Sequence, residues 1–345
     1  MVDIGRRLRE RRLAVGLTQD GLAARARVSR ALVGALERGR HMPATDAAIR
    51  LARALDTTVE RLFDEARPAP AFDAISVLGG PLPEGALVRT ARVEDAIVAR
   101  VVDSASALSS TGAAADGVMR DDRLRLFTGA APGGAVIAGC DPVLGIAEGL
   151  LERAGQARIV AVPATSGQAL EALDRGRCHA VLVHGPAGSL RGRDGLQRWH
   201  VARWRAGIAT HTQLARPSLR SLLAGEVPML VQRDRTAACQ QAVERAARRL
   251  GARRVKARRT AGGHLDAARA AVEHHAAAVT IEPFAIALGL DFCELETHEV
   301  ELWVPDAWAE LPGIRALLDL LSSASFRDRA AALPAYDLTD TGAVR

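Results

Sequence analysis

Apolar residues recur every three to four positions over the first 63 residues, and beyond about residue 134 short β-branched runs alternate with helical ones. In the first region the spacing predicts a helix from Asp3 or Ile4 to Val15, stopped by Gly16. Thr18 caps a second helix over Gln19 to Ala26, and Ser29 caps a third over Arg30 to Arg38. Leu22, Ala23, Ala26, Val28, Leu32 and Leu36 lock these two at a fixed angle, leaving Gln19, Ser29, Arg30, Val33, Gly34 and Arg38 facing outward, with Arg40 just beyond. Two more helices, Thr45 to Leu55 and Thr58 to Phe63, place Ile49, Leu51, Leu55, Val59, Leu62 and Phe63 at core spacing.

Glu65 to Asp73 is a Pro- and Ala-containing stretch without periodicity and reads as a linker. In the next segment, Ala86 to Val93 and Leu124 to Thr128 read as strands, Glu94 to Ser109 as a helix and Ser109 to Asp122 as a loop. From Gly134 the order is strand, helix, strand, helix, strand: 135–139, 142–154, 159–163, 167–175, 180–184. After a stretch around Trp199 to Thr210 it resumes with strands at 229–232, 254–258 and 278–281 and helices at 237–250, 264–273 and 283–288. Such alternation builds a parallel sheet covered by helices. The expected fold is therefore α + α/β, with 1–65 a five-helix domain, 66–73 a linker, 74–133 a connecting α/β segment without an assigned role, and 134–345 a two-lobed α/β domain.

Composition sharpens this division. The net charge is +6, and residues 1–65 hold 13 Arg against 9 acids, so most of the excess sits where a polyanion would be bound. Arg6, Arg7, Arg9, Arg11 and Arg12 add phosphate-facing candidates, though such a run is also the pattern of a solvated helix face. The four cysteines, Cys140, Cys178, Cys239 and Cys293, form no C-x-x-C pair, which suggests reduced thiols and neither a zinc knuckle nor a disulfide framework. MVDIGRRLRERR lacks the apolar core of a signal peptide and no apolar run reaches membrane-spanning length, so a cytoplasmic protein without a membrane partner is expected.

GLTQDGLAARARVSRALVGALERGRHMP resembles the Xre, or lambda-repressor-like, helix-turn-helix family through Leu17, Thr18, Gln19, Leu22, Ala23, Val28, Ser29, Leu36, Glu37, Arg38, Gly39, Arg40 and Pro43. The resemblance covers about the first 65 residues and implies a DNA-binding domain. The later region resembles the periplasmic-binding-protein-like domain, related to molybdate-binding proteins, that is fused behind Xre-type domains in bacterial regulators. It does so at Ala138 to Gly155, Glu171 to Gly185, Ile286 to Phe292 and the tail Ala331 to Arg345. It departs from that family at RDRTAACQQA, where a Gly- and Ser-containing turn is usual.

In open α/β sheets a ligand sits beyond the carboxyl ends of the strands. That rule nominates Cys140, Asp141, Thr165, Ser166, His184, Arg233, Arg235, Thr236, Gly262, His264 and Glu282. Helix amino termini and two arginines favour an oxyanion or carboxylate, while Asp141 and Glu282 suit an amine, a sugar or a zwitterion. Asp141 and Glu282 each precede a proline and read equally well as helix starts. No phosphate-loop, dinucleotide-binding or nucleophile-elbow motif is present. The sequence thus predicts a homodimeric, non-enzymatic transcription regulator that binds double-stranded operator DNA through residues 30–38 and senses a small-molecule effector, with no cofactor and no metal. Two other readings stand beside it: a C-terminal domain that only dimerises, marked by a closed cleft with Arg233 and Asp141 turned apart, and an enzyme with an accessory helix-turn-helix.

Overall fold

The structure, a computed structural model, describes residues 2–63, 71–102, 115–155, 157–214, 217–224, 226–227, 230–251 and 259–345. They form two compact units, Met1–Pro70 and Ala71–Arg345.

The first unit is helical: α1 (Val2–Ala14), α2 (Gln19–Ala26), α3 (Arg30–Glu37), α4 (Thr45–Ala54) and α5 (Val59–Phe63). Local chemistry sets these bounds. Gly16 takes φ +69° after α1, the Thr18 hydroxyl accepts the Gly21 N–H at 3.0 Å, and the Ser29 hydroxyl accepts the Leu32 N–H at 3.1 Å. Leu8, Leu22, Val33, Leu36, Leu51 and Leu55 are fully or almost fully buried in one core, each such side chain contributing about 1.5–3 kcal/mol by leaving water. Gly5 lets α1 cross the end of α3 at backbone contact, because a Cβ there would lie 2.4 Å from the Glu37 carbonyl oxygen.

The second unit begins with a six-stranded sheet, β1 (Ala71–Phe72), β2 (Ile75–Ser76), β3 (Leu87–Val93), β4 (Ala96–Val101), β5 (Gly117–Arg120) and β6 (Arg123–Leu126), in the order β1-β6-β5-β3-β4-β2. Three expectations are corrected here. The helix expected over 94–109 is instead β4, paired antiparallel with β3 from Val93↔Ala96 to Val88↔Val101. Glu94 takes φ 50° in the two-residue turn between them, and Ile97, Val98 and Val101 are β-branched residues that suit a pleated strand. Ala71 and Phe72, expected in the linker, form a strand against Leu124 and Arg125. The loop expected over 109–122 is a strand, β5, at 117–120, while its first part and most of the linker, within residues 103–114 and 64–70, lie outside the described residues.

An eight-stranded sheet follows. Its members are β7 (Ala135–Gly139), β8 (Ile159–Pro163), β9 (Ala180–Pro186), β10 (Leu196–Thr210), β11 (Leu230–Arg233), β12 (Arg259–Ala261), β13 (Ala277–Ile281) and β14 (Asp291–Pro305), in the order β12-β11-β13-β10-β14-β9-β7-β8. Between them run α6 (Val143–Ala154), α7 (Ser166–Asp174), α8 (Leu219–Ala224), α9 (Ala238–Arg249), α10 (His264–Glu273) and α11 (Glu282–Ala287), and after β14 come α12 (Pro312–Leu321) and α13 (Ala324–Ala330). The expected strand over 254–258 falls outside the described residues, which place β12 directly after it.

The sheet consists of two parallel triads, β8-β7-β9 and β12-β11-β13, joined by the long antiparallel pair β10 and β14. The carboxyl-terminal part of β10 pairs with β13, ending at Ala206↔Ile281. The carboxyl-terminal part of β14 pairs with β9, beginning at His298↔Pro186. Both triads therefore aim their carboxyl ends at one place on the long pair, Trp204 to Ala206 opposite Glu296 to His298. The first half of β10 would have a free edge, and the tail takes it through Arg203↔Asp337 and Trp199↔Val344. Among the described residues no helix is long and apolar enough to cross a membrane.

Buried in the first triad, the His179 Nδ1 accepts the Val136 N–H at 2.9 Å and the ring meets the edge of Trp308. Burial pushes its pKa down to about 4. A histidine whose folded pKa lies below its unfolded one stabilises fully above the unfolded value, near 6.5, and loses that contribution as pH falls toward the folded value. The melting temperature should fall between pH 6.5 and 4, with His179 contributing on the order of 2 kcal/mol, and the fall should be shallower in His179→Gln. Equal slopes in the two proteins would remove His179 from the account.

Candidate functional site

In the helical unit, the Ser29 cap starts α3 with its first turn in solvent. Ser29, Arg30, Ala31, Arg38 and Arg40 are exposed, and Arg30 makes an exposed ion pair with Asp20 at 3.3 Å. Val33 and Gly34 do not face outward as predicted, since Val33 is fully buried and Gly34 is covered. The inward stripe of α3 runs through Val33 and Leu36, and a Cβ on Gly34 would lie 3.2 Å from the Arg38 guanidinium, which folds back over it.

Glu37 holds the unit together from within. Its carboxylate accepts from Arg12 Nε at 2.6 Å and Nη2 at 3.1 Å and from Gln19 Nε2 at 2.8 Å. Burial opposes its ionisation, yet the bonds from Arg12 and Gln19 and the charge of Arg12 hold its carboxyl below the usual range. Arg11 donates to the Leu55 and Asp56 carbonyls at 3.0 and 2.8 Å, at the end of α4. Arg11, Arg12 and Gln19 are thus committed to the fold, and Gln19 reaches a partner only through what its bond to Glu37 leaves over.

The second site lies where the two triads converge. His184 near the end of β9, His264 at the start of α10, Arg233 at the end of β11 and His298 on β14 are almost fully buried there, and Cys140 after β7 is half-buried. Cys140 Sγ lies 3.2 Å from His184 Nε2 and 3.5 Å from His264 Nε2. His184 Nδ1 lies 3.0 Å from His298 Nδ1, and His298 Nε2 lies 3.2 Å from Glu296 Oε2. Arg233 Nη1 bonds His264 Nδ1 at 2.8 Å, and Nη2 bonds the Gly262 carbonyl at 3.1 Å.

The ends of this chain fix the protons between them. Arg233 can only donate, and Glu296, ionised by a two-bond pair with Arg245 at 2.7 and 2.6 Å, can only accept. Partner logic then assigns each ring. His298 donates through Nε2 and accepts at Nδ1 from His184, His184 Nε2 accepts the Cys140 thiol, and the Cys140 sulfur accepts from His264 Nε2. Every imidazole is neutral, in accord with burial, which drives His184 and His264 far below their ordinary value and His298 below it. Burial also pushes the Cys140 thiol up to about 12.

The other nominated residues divide. Thr165 and Thr236 bond each other through their hydroxyls at 2.7 Å, from α7 in one triad to the turn after β11 in the other. A Cβ on Gly167 would lie 2.7 Å from the Thr236 Cβ, so the triads touch there. The Ser166 hydroxyl accepts the His184 N–H at 3.1 Å. Three nominated residues are engaged or directed elsewhere in this structure. Both Asp141 oxygens are engaged, accepting from Val143 N, Tyr336 Oη and Trp204 Nε1 at 2.9, 2.8 and 2.8 Å. Glu282 is tied to Arg205 on β10. Arg235 is exposed and directed to solvent. Sequence reasoning missed His298, Glu296, Trp204, Tyr336 and Cys239, although alternation in the run Glu296–Thr297–His298 puts Glu296 and His298 on one face of a strand.

Residues 3–64 match the family model of a helix-turn-helix domain. Residues 147–322, just over half of the chain, match that of the PBP superfamily domain. The chain belongs to the PBP superfamily. No curated protein matches it. Its amino-terminal helices are similar to the restriction-modification controller protein C.AhdI from Aeromonas hydrophila, at 42% identity over 18% of this chain and 94% of that one, TM-score 0.18. The PBP-superfamily region is similar to the bromide-bound regulatory domain of HypT from Salmonella typhimurium, at 12% identity over 57% and 95%, TM-score 0.44. It is also similar to the regulatory domain of MetR, a LysR family regulator from N. meningitidis, at 9% identity over 59% and 96%, TM-score 0.44. An Xre-like helix-turn-helix domain ahead of a PBP-superfamily domain is the make-up of a transcription regulator with a ligand-binding domain.

In the helix-turn-helix domain, Glu37→Ala strands the buried Arg12 guanidinium. The expected loss is about 3–5 kcal/mol from that unit, read as an early first transition in thermal unfolding of the full chain. An unchanged first transition would show that the Arg12–Glu37 pair does not hold the helices.

Proposed function

We propose that this chain is a dimeric, ligand-responsive transcription regulator that binds an inverted-repeat operator and has no catalytic activity. The reading of DNA rests on α3, whose exposed Ser29, Arg30 and Ala31 open the helix that a helix-turn-helix lays in the major groove, with Arg38 and Arg40 placed for phosphates or a flanking base. One short helix contacts few base pairs, so two copies on half-sites about 10 base pairs apart supply the specificity.

The observation that carries the sensing role is the meeting of both triads at Cys140, His184, Arg233 and His264, with side chains bonded from one triad to the other. A small ligand that binds the closed triads better than the open ones shifts the population toward closure, and operator affinity follows by that difference. The absence of catalysis is argued from the same groups. Cys140 and His184 form a thiol–imidazole pair, but a thiol raised to about 12 holds its proton at neutral pH and is a poor nucleophile.

A second reading has its own support. Asp141 points to Trp204 and Tyr336 while Arg233 points to His264, so the two are turned apart in a closed cleft. That is the arrangement of a domain that only dimerises. A thermal-shift panel of oxyanions, amino acids, sugars, nucleosides and metal ions separates the two, since a ligand of the native state alone raises the melting temperature. A ligand that does so and also changes operator affinity fits the first reading. No shift across the panel leaves the dimer-only reading standing.

Arg30→Ala should weaken the operator by about 1–3 kcal/mol while weakening random DNA less. Equal losses on both sequences, measured at one salt concentration, would reject base reading by Arg30.

A further inference from the structure

We infer that Cys140, His184 and His264 form a binding site for a late first-row transition cation of the zinc class, and that this ion is an effector of the closed state. The inference rests on the ligand-responsive reading above.

The geometry is that of a metal centre before the metal enters. One donor atom from each residue lies within 4.8 Å of the others. With bonds of ~2.3 Å to sulfur and ~2.05 Å to nitrogen, a tetrahedral ion separates its sulfur and nitrogen ligands by about 3.6 Å. The observed sulfur–nitrogen separations are 3.2 and 3.5 Å, so these two legs of the site fit an ion with shifts of tenths of an ångström. A thiolate with two imidazoles selects zinc, cobalt or nickel over magnesium or calcium, which need oxygen ligands. Three protein ligands leave a fourth position open for water or a small anion.

The surroundings support two of the three ligands. His184 Nδ1 is held by His298, and His298 by Glu296, so the His184 Nε2 lone pair already points at the site, the outer-sphere arrangement that orients a metal-bound imidazole. Cys140 binds as thiolate, its proton leaving to solvent as the ion enters, because a bound cation reverses the electrostatics that keep a buried thiol protonated. His264 is different. Arg233 donates to its Nδ1, so Nε2 carries the proton. Coordination through Nε2 requires that proton at Nδ1 and Arg233 turned away. The ion and the Arg233–His264 bond exclude one another, and loading the site releases a buried guanidinium at the end of β11. Cys140 and His184 belong to one triad and His264 to the other, so the ion also ties the triads together. That combination couples binding to conformation.

The test is a titration of the full-length, reduced protein with Co²⁺ under anaerobic conditions. Expected are one equivalent bound, tetrahedral d–d bands with a sulfur-to-cobalt charge-transfer band, and displacement by Zn²⁺. Cys140→Ser should lose the charge-transfer band, His264→Gln should weaken binding at least ~10-fold, and Arg233→Met, which removes the competing donor and a nearby positive charge, should tighten it. A second donor group, His184, Cys239 and His298, also lies within 4.8 Å, so a band that survives Cys140→Ser and vanishes in Cys239→Ser overturns the assignment. So does the absence of any charge-transfer band in the unaltered protein. Cobalt binding that leaves operator affinity unchanged keeps the site and overturns its effector role, whereas intact operator control by another ligand without cobalt binding overturns the metal and leaves the regulator.

Discussion

The C-terminal unit depends on one pairing, that of β10 with β14 over fourteen register positions from Leu196↔Pro305 to Thr210↔Asp291. Each long strand pairs with the other along its length and gives one part of its other edge to a parallel triad, and the exchange falls between Trp204 and Glu296. Since a strand in a parallel triad presents its following loop at its carboxyl end, both sets of loops are forced to the same place. The site is thus a consequence of topology before it is one of side chains. Register shifts at His200/Ala202 and Ala206/Gly207 bracket the exchange, and a bulge is where a ladder bends most easily.

A polar chain buried at such a point must satisfy every member or lose stability. From Arg233 to Glu296 each hydrogen has one donor and one acceptor, and the single direction this imposes explains why three imidazoles and a thiol can share a closed space without charge. Trp204 packs within ring-centroid distances of 4.7, 5.5 and 6.0 Å of His184, His298 and His264, and its bulk adds to the burial that disfavours their charged forms. Asp141, nominated as a ligand group, accepts from this indole at 2.8 Å. It also accepts the Val143 N–H at the helix start, so its sequence signal, an Asp before Pro, could not distinguish a cap from a contact.

What the sequence disclosed follows how local each signal is. The caps at Thr18 and Ser29 and the stop at Gly16 need only neighbouring residues, and α2 starts and stops where predicted. Val33 was misplaced because the inward stripe of an eight-residue helix turns on a rotation of one position. The β3–β4 hairpin was misread because Ile97, Val98 and Val101 satisfy a helical spacing as well as a strand, and the turn that decides between them is two ordinary residues. Strands β10 and β14 carry no local mark of their length. The Cys140, His184 and His264 group could be named from strand ends, yet its members lie 44 and 124 positions from Cys140, so no spacing rule for metal ligands would join them.

The helix-turn-helix unit poses the reverse problem, a surface with little on it. Once Val33 is inside and Arg38 lies over Gly34, the outward face of α3 offers Arg30 near its start, the methyl of Ala31 and Arg38 at its end. A face so sparse discriminates bases through very few contacts, and a mismatch against one bidentate side chain is worth only about 1–3 kcal/mol. In the proposed dimer, specificity is multiplied by a second copy at fixed spacing, and anything that alters the spacing then acts on both half-sites at once. A sensing domain need not touch DNA to control it. On the proposed reading it needs two stable arrangements that differ in energy by a few kcal/mol, and releasing Arg233 from its bond to His264 would supply a difference of that order.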